Sequence, residues 1–288
     1  MFHKIYIEIT NECGLSCSFC PNGKLPANKM SLELFEKIVA EASEYTKLIA
    51  CHVMGDPLTV NNLSQYLDVI EKYGLQAELT TSGYFIRKQD VETLLRSCVK
   101  QINISLNSYN KNSSSITLEQ YLKPILELCG EKQRLNRELF INLRLWNLDE
   151  LMSERDFNSE IFKRFSQHFG IELDIEDIYK SRPKSIRLEY KTLLHFDNYF
   201  EWPSLENRVY GDGTCHGLSS HIAILSSGRV VPCCLDGEGI INLGDLNSES
   251  LRTILNSKRA VAIKESFQKG IAKEELCQKC SYKSRFTH

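Results

Sequence analysis

Three cysteines in one short segment, Cys13, Cys17 and Cys20, form a C-x3-C-x2-C run directly after the strand-like stretch Ile5-Tyr6-Ile7-Glu8-Ile9-Thr10. Thiolates select zinc or iron–sulfur clusters, and iron–sulfur sites normally take four cysteines. Three thiolates from one loop leave one iron open to an outside molecule, and an open metal position is where chemistry can happen. A structural zinc site would need a fourth closing ligand and usually builds on C-x2-C pairs.

A second set, Cys215, Cys233, Cys234, Cys277 and Cys280, lies toward the other end of the chain. Cys233, its partner Cys215 and the C-x2-C pair can close a four-thiolate site, which spacing alone assigns neither to iron nor to zinc. Cys233 and Cys234 are adjacent on a strand-like stretch and point to opposite faces, so only one of them joins the site. The remaining Cys51, Cys98 and Cys129 sit in apolar periodic segments and read as core residues. Eleven cysteines distributed in this way read as metal ligands and not as disulfides.

The run Glu12-Cys13-Gly14-Leu15-Ser16-Cys17-Ser18-Phe19-Cys20-Pro21 resembles the cluster loop of the radical S-adenosylmethionine (radical SAM) superfamily, in which an aromatic residue, here Phe19, precedes the third cysteine. The resemblance implies a [4Fe–4S] cluster whose open iron binds the amino and carboxylate groups of S-adenosylmethionine. Met54-Gly55-Asp56-Pro57 resembles the family's Gly-Gly-Glu-Pro motif, departing from it at Met54 and Asp56, and would receive the methionine amino group. Thr80-Thr81-Ser82-Gly83 stands where relatives carry a Thr-Asn-Gly turn near the cofactor, which brings Ser82 toward it. By the same resemblance Ser105 and Asn107, two residues apart on one strand face, would approach the ribose or carboxylate. Asn142, Arg144 and Trp146 alternate in the same way on the next strand. An arginine turned into a barrel interior must find an anion, and the methionine carboxylate fits Arg144. Finally, Cys215 followed by Gly228-x4-Cys233 is similar to the signature of the SPASM/twitch domain. That similarity implies one auxiliary [4Fe–4S] cluster on Cys215, Cys233 (or Cys234), Cys277 and Cys280.

The elements that must position these groups alternate between strand and helix. Strands are expected at 5–10, 47–53, 76–81, 101–107, 139–146 and 186–194, and helices at 31–42, 63–73, 87–97, 118–129 and 161–169. Serial β/α units predict an α/β fold with a parallel sheet whose ligand site lies at the C-terminal strand ends. The resemblance narrows this to a partial (β/α)6 barrel over residues 1–195. Residues 196–288 are expected to form a connector and a small α+β, twitch/SPASM-like domain, with a hairpin at 221–231 and helices near 248–256 and 258–268.

The 288 residues are 42% hydrophobic and 25% charged, enough for a sizeable core. With 35 basic and 37 acidic residues, nothing indicates a nucleic-acid partner. The first residues enter a strand pattern with no secretory h-region, and no run of about 18 or more apolar residues occurs, so a cytoplasmic protein with no membrane partner is expected.

Together these features predict a radical SAM enzyme. It would use a 5′-deoxyadenosyl radical to take hydrogen from an unidentified small-molecule or peptide substrate, in an oxidation or bond-forming modification assisted by the auxiliary cluster. A flavodoxin or ferredoxin would supply electrons. The alternatives are a peptide- or protein-modifying SPASM enzyme, and a cysteine-rich zinc or electron-transfer protein without radical chemistry. Glu189, Tyr190, His195, the Phe200-Glu201-Trp202 connector, Asp212 and His216 are further candidates for substrate contact. The basic-aromatic tail Ser281–Phe286 is a candidate support for the second cysteine set.

Overall fold

A computed structural model describes residues 1–21, 25–113, 115–145, 154–198 and 200–286. The chain opens with strand β1 (Lys4–Ile7), helix α1 (Leu32–Ala42), strand β2 (Leu48–Ala50), helix α2 (Leu63–Lys72) and strand β3 (Gln76–Thr81). Helix α1 begins where the Ser31 hydroxyl accepts the Leu34 N–H, and it buries Phe35, Ile38, Val39 and Ala42 at helical spacing. A short helix α3 (Val91–Leu94), strand β4 (Val99–Ser105), a single turn α4 (Asn107–Asn110), helix α5 (Leu118–Arg134) and strand β5 (Phe140–Leu145) follow. Thr117 and Gln120 close a reciprocal capping box on α5. Next come α6 (Arg155–Phe169), α7 (Ile175–Ser181), β6 (Ser185–Glu189) and β7 (Thr192–Phe196). The C-terminal part holds β8 (His221–Ile224), β9 (Arg229–Val231), β10 (Gly244–Asp245), α8 (Leu251–Leu255), α9 (Lys258–Gln268) and α10 (Glu275–Gln278).

The chain packs into two compact units, and β3 contributes to both. The first takes Met1–Gly14, Cys20–Glu78 and Phe200–His288. Its sheet centres on β1, which pairs in parallel with β2 (Ile5 opposite Ile49) and with β8 (Ile5 opposite Ile222). Strands β9 and β10 extend that sheet antiparallel from β8. The second unit takes Leu15–Phe19 and Leu79–Tyr199. Here β4, β5 and β7 run parallel, and β6 closes antiparallel on β7. The strands belong to an open sheet that mixes parallel with antiparallel pairing, as an incompletely closed (β/α) barrel with an appended hairpin requires.

Three expectations need correction. The strand foreseen at 186–194 is the hairpin β6–β7. It turns at Tyr190-Lys191, where Lys191 takes a left-handed conformation (φ 53), and it is β7 that joins β5 in parallel. The helix foreseen at 87–97 shrinks to a turn at Ile86–Lys88 and α3, because the chain must already enter β4 at Val99. The pairing of Ser105 with Asn107 on one strand face also fails. Strand β4 stops at Ser105, Leu106 turns helical (φ −62, ψ −30), and Asn107 starts α4. Trp146 lies outside the described residues.

Candidate functional site

In the first unit, the loop that carries Cys13 is pinned at its root. Past β1 the backbone continues to Ile9, whose carbonyl accepts the Met30 N–H at 3.0 Å, and the Asn11 N–H reaches the Asn28 carbonyl at 3.1 Å. Asn11 Oδ1 accepts the Asn28 N–H in return, at 2.7 Å. The 54–57 segment lies against this root. The Asp56 N–H donates to the Glu12 carbonyl at 3.1 Å, one residue before Cys13. Only glycine fits at 55, since a Cβ there would stand 2.1 Å from the Thr10 carbonyl oxygen. The Asp56 side chain is 2% exposed, and its Oδ1 caps the following turn by accepting the Leu58 N–H at 3.0 Å.

Glu8, 1% exposed, was not singled out in the sequence. One carboxylate oxygen accepts the Met54 N–H at 2.9 Å and the other the Ser226 N–H at 3.1 Å. Burial pushes its pKa up, and these backbone donors pull it back. An acid on an otherwise apolar strand was the available signal. A cleft in this unit is lined by Asn11, Pro21 and Leu25 together with Leu235, Gly237 and Leu276.

In the second unit, Cys17 is held by the loop after α4. Asn112 Nδ2 lies 2.8 Å from the Cys17 sulfur, Asn112 Oδ1 accepts the Ser16 N–H at 2.8 Å, and the Ser18 N–H reaches the Lys111 carbonyl at 3.2 Å. Phe19 is half-buried. Ser82 is 6% exposed, and its carbonyl accepts the Tyr121 hydroxyl at 2.7 Å.

Strand register sorts this unit into two faces. Ile102, Ile104, Ile141, Leu143, Leu194 and Phe196 are buried on one, while Asn103, Ser105, Asn142, Arg144 and His195 line the other. Ser105 pairs with Arg144, and Arg144 with His195. Asn142 Nδ2 donates to Asn103 Oδ1 at 3.0 Å, and Asn103 Nδ2 to Thr80 Oγ1 at 3.2 Å. Asn142 Oδ1 and His195 Nδ1 are buried with no hydrogen-bond partner among the described residues, the condition of atoms built to meet a ligand. Burial lowers the His195 pKa, helped by the Arg144 charge and opposed by Asp197.

The second cysteine set assembles within the first unit. Burial pushes the Cys233 thiol well above its ordinary pKa, and Cys215, Cys234 and Cys277 add to the rise. Cys277 is raised by burial and then by Cys215 and Cys280, and Cys215 by burial and Cys280. Four thiols in one another's field can all ionise only around positive charge, which is what irons supply. Among the described residues no three His, Cys, Asp or Glu side chains close on a single-ion position. Cys234 is engaged elsewhere. It packs against the Val53, Ala223, Leu225 and Val231 cluster, and its thiol hydrogen-bonds Tyr6 while burial raises it to about 11.

Lys283, from the basic-aromatic tail, lies against the 277–280 turn of this set. It is 5% exposed, and its ammonium donates to the carbonyls of Cys277 (2.9 Å), Gln278 (3.1 Å) and Cys280 (3.0 Å). Among the other substrate candidates, Asp212 Oδ1 accepts the Ala272 N–H at 3.1 Å, and Tyr190 is exposed with its hydroxyl on Glu138. Both are engaged structurally.

Comparison with known proteins agrees with this arrangement. A family model described as the radical SAM superfamily matches residues 7–141, and one described as the SPASM iron–sulfur cluster-binding domain matches residues 215–281. A probable GTP 3′,8-cyclase of Methanosarcina mazei is 24% identical, over 95% of this chain and 89% of that protein. An S-adenosyl-L-methionine-dependent 2-deoxy-scyllo-inosamine dehydrogenase of Niallia circulans is 25% identical over 33% of this chain and 40% of that protein. Among solved structures, BtrN in complex with AdoMet and 2-DOIA superposes with a TM-score of 0.62 at 14% identity, covering 98% of this chain and 93% of that one. Streptococcus suis SuiB bound to its precursor peptide SuiA gives 0.56 at 14% identity, covering 100% and 73%. At such identities the structural likeness speaks for the fold. The two matched families bind a [4Fe–4S] cluster with S-adenosylmethionine and an auxiliary iron–sulfur cluster, and the two cysteine sets fall inside the two matched segments. The chain is an enzyme of the radical SAM superfamily with a C-terminal SPASM-type domain.

Proposed function

We propose that this enzyme oxidises a small, hydrogen-bonding substrate at an unactivated C–H bond. The observation that carries this is the completeness of the second thiol set. Cys215, Cys233, Cys277 and Cys280 would fill every iron of a second [4Fe–4S] cluster, leaving none open to bind substrate. A cluster of that kind supplies an electron acceptor, which a two-electron oxidation started by hydrogen abstraction needs.

Cys13, Cys17 and Cys20 would hold the first cluster. With S-adenosylmethionine it supplies the 5′-deoxyadenosyl radical. Phe19, Gly55, Asp56, Pro57, Ser82, Ser105, Asn107 and Arg144 are the residues proposed to hold that cofactor. Gly55 and Asp56 would present backbone groups, since the Asp56 carboxylate already caps its own turn. Asn142 Oδ1 and His195 Nδ1 stand ready to orient a hydroxyl or amino group. Low-potential electrons would come from a flavodoxin or ferredoxin in the cytoplasm, and residues 1–195 and 196–288 are proposed as the two modules. No helix among the described residues is long and apolar enough to cross a membrane.

The test is anaerobic incubation of dithionite-reduced enzyme with S-adenosylmethionine and, separately, 2-deoxy-scyllo-inosamine, GTP and short peptides. Release of 5′-deoxyadenosine with a product two mass units lighter than an added alcohol or amine is the expected result. A product isomeric with GTP, or a cross-linked peptide, would replace this reading with bond formation.

A further inference from the structure

Lys283 is a buried cation whose three hydrogen-bond acceptors are all neutral carbonyls, those of Cys277, Gln278 and Cys280. Carbonyls only accept, so occupying all three requires three N–H groups, which is the charged ammonium. A buried charge is ordinarily matched by an opposite one. The groups within its electrostatic reach that can carry negative charge are the thiols of Cys280, Cys277 and Cys215, once ionised as cluster ligands, and then Asp212. Its stem also runs through a shaped slot. A Cβ at Gly213 would come within 3.2 Å of Lys283 Cδ, and the Tyr210 ring centroid lies 5.8 Å from the ammonium. The Tyr210 N–H donates to the Gln278 carbonyl at 2.8 Å, so lysine and tyrosine grip the same turn.

We infer that Lys283 is a positioning residue for the second cluster: its ammonium clamps the Cys277–Cys280 turn and sets a fixed positive charge against that cluster's thiolates, raising its reduction potential. This rests on the reading that the four cysteines hold a cluster. Reduction adds negative charge, a nearby cation stabilises the reduced form, and net charge around a cluster is one of the levers on its potential. Burial strengthens the effect, because little water is present to screen it.

The test uses whole enzyme purified anaerobically as wild type, Lys283→Met and Lys283→Arg. Iron and sulfide are counted, and both clusters are followed by electron paramagnetic resonance during redox titration. Wild type should hold about eight irons per chain. In Lys283→Met the second cluster's ratio of reduced to oxidised form, poised at the wild-type midpoint, should fall by about tenfold. Lys283→Arg should restore most of it, and the first cluster's response to S-adenosylmethionine should not change. If Lys283→Met instead drops to about four irons while Lys283→Arg keeps about eight, the clamp is supported directly. A Lys283→Met cluster titrating with wild type would overturn the inference, as would Lys283→Arg shifting as far as Lys283→Met or losing its cluster equally. A wild type with only about four irons would instead remove the second cluster itself, and with it the proposed oxidation.

Discussion

At the scale of single residues, the most consequential contact is one between a loop with no motif and Cys17, a proposed cluster ligand. Asn112 gives its amide hydrogen to the Cys17 sulfur and its oxygen to the Ser16 N–H, fixing both the position and the charge environment of one thiolate. A hydrogen bond to thiolate sulfur stabilises the more negative, reduced cluster. Asn112→Leu, close in shape and unable to donate, should therefore keep its iron yet be harder to reduce. The ratio of reduced to oxidised first cluster at the wild-type midpoint should fall about tenfold, the equivalent of roughly 1.4 kcal/mol for one charge-assisted bond. Unchanged titration by electron paramagnetic resonance would show that the amide merely fills space. The cysteines announced themselves by type and spacing. Asn112 did not, because a residue that reaches a site across 95 positions of sequence leaves no periodic mark.

At the scale of elements, strands and helices with strong periodicity were legible and the turns between them less so. Helix α9 (Lys258–Gln268) stands where apolar spacing put it, and α1 begins at its Ser31 cap. The hairpin β6–β7 was hidden because Tyr190 and Lys191 carry no Gly, Asn or Pro to mark a turn. Asn107 was misplaced for a similar reason: period-two reading runs on past a strand's end until something stops it. The 54–57 turn, by contrast, carries its reason in one residue. Because a Cβ at position 55 would sit 2.1 Å from the Thr10 carbonyl oxygen and 2.8 Å from the Asn11 carbonyl carbon, both backbone atoms, neither side can yield cheaply. Gly55→Ala should push this turn off the cluster-loop root and break the Asp56–Glu12 hydrogen bond. It should destabilise the fold by about 2–4 kcal/mol and abolish the spectral change that S-adenosylmethionine causes in the first cluster. A variant with wild-type denaturation and an intact cofactor response would refute that account.

At the scale of the whole molecule, the sequence made the β/α series and the two cysteine sets visible but not the pairing that joins the C-terminal hairpin to the first strand. The C-terminal hairpin adds β8 directly to β1, a pairing between residues more than two hundred apart that no local pattern encodes. That pairing has a measurable consequence for stability. His221 on β8 stands opposite Lys4 on β1, and its ring meets Tyr6 edge-on at 5.8 Å. Burial, together with the positive charges of His216, Lys4 and His3, lowers its pKa from 6.5 to about 4. The unfolded chain therefore binds a proton more readily than the folded one between those values, and folding stability falls as pH drops through that window. The contribution is complete above about pH 6.5 and amounts to at most roughly 3 kcal/mol. His221→Phe keeps a ring against Tyr6 and removes the proton site. Anaerobic denaturant titrations from pH 7 to pH 4.5 should show the wild-type midpoint falling more steeply than that of His221→Phe, with the two curves diverging below about pH 6. Parallel curves would mean that protonation of His221 costs the β1–β8 junction nothing.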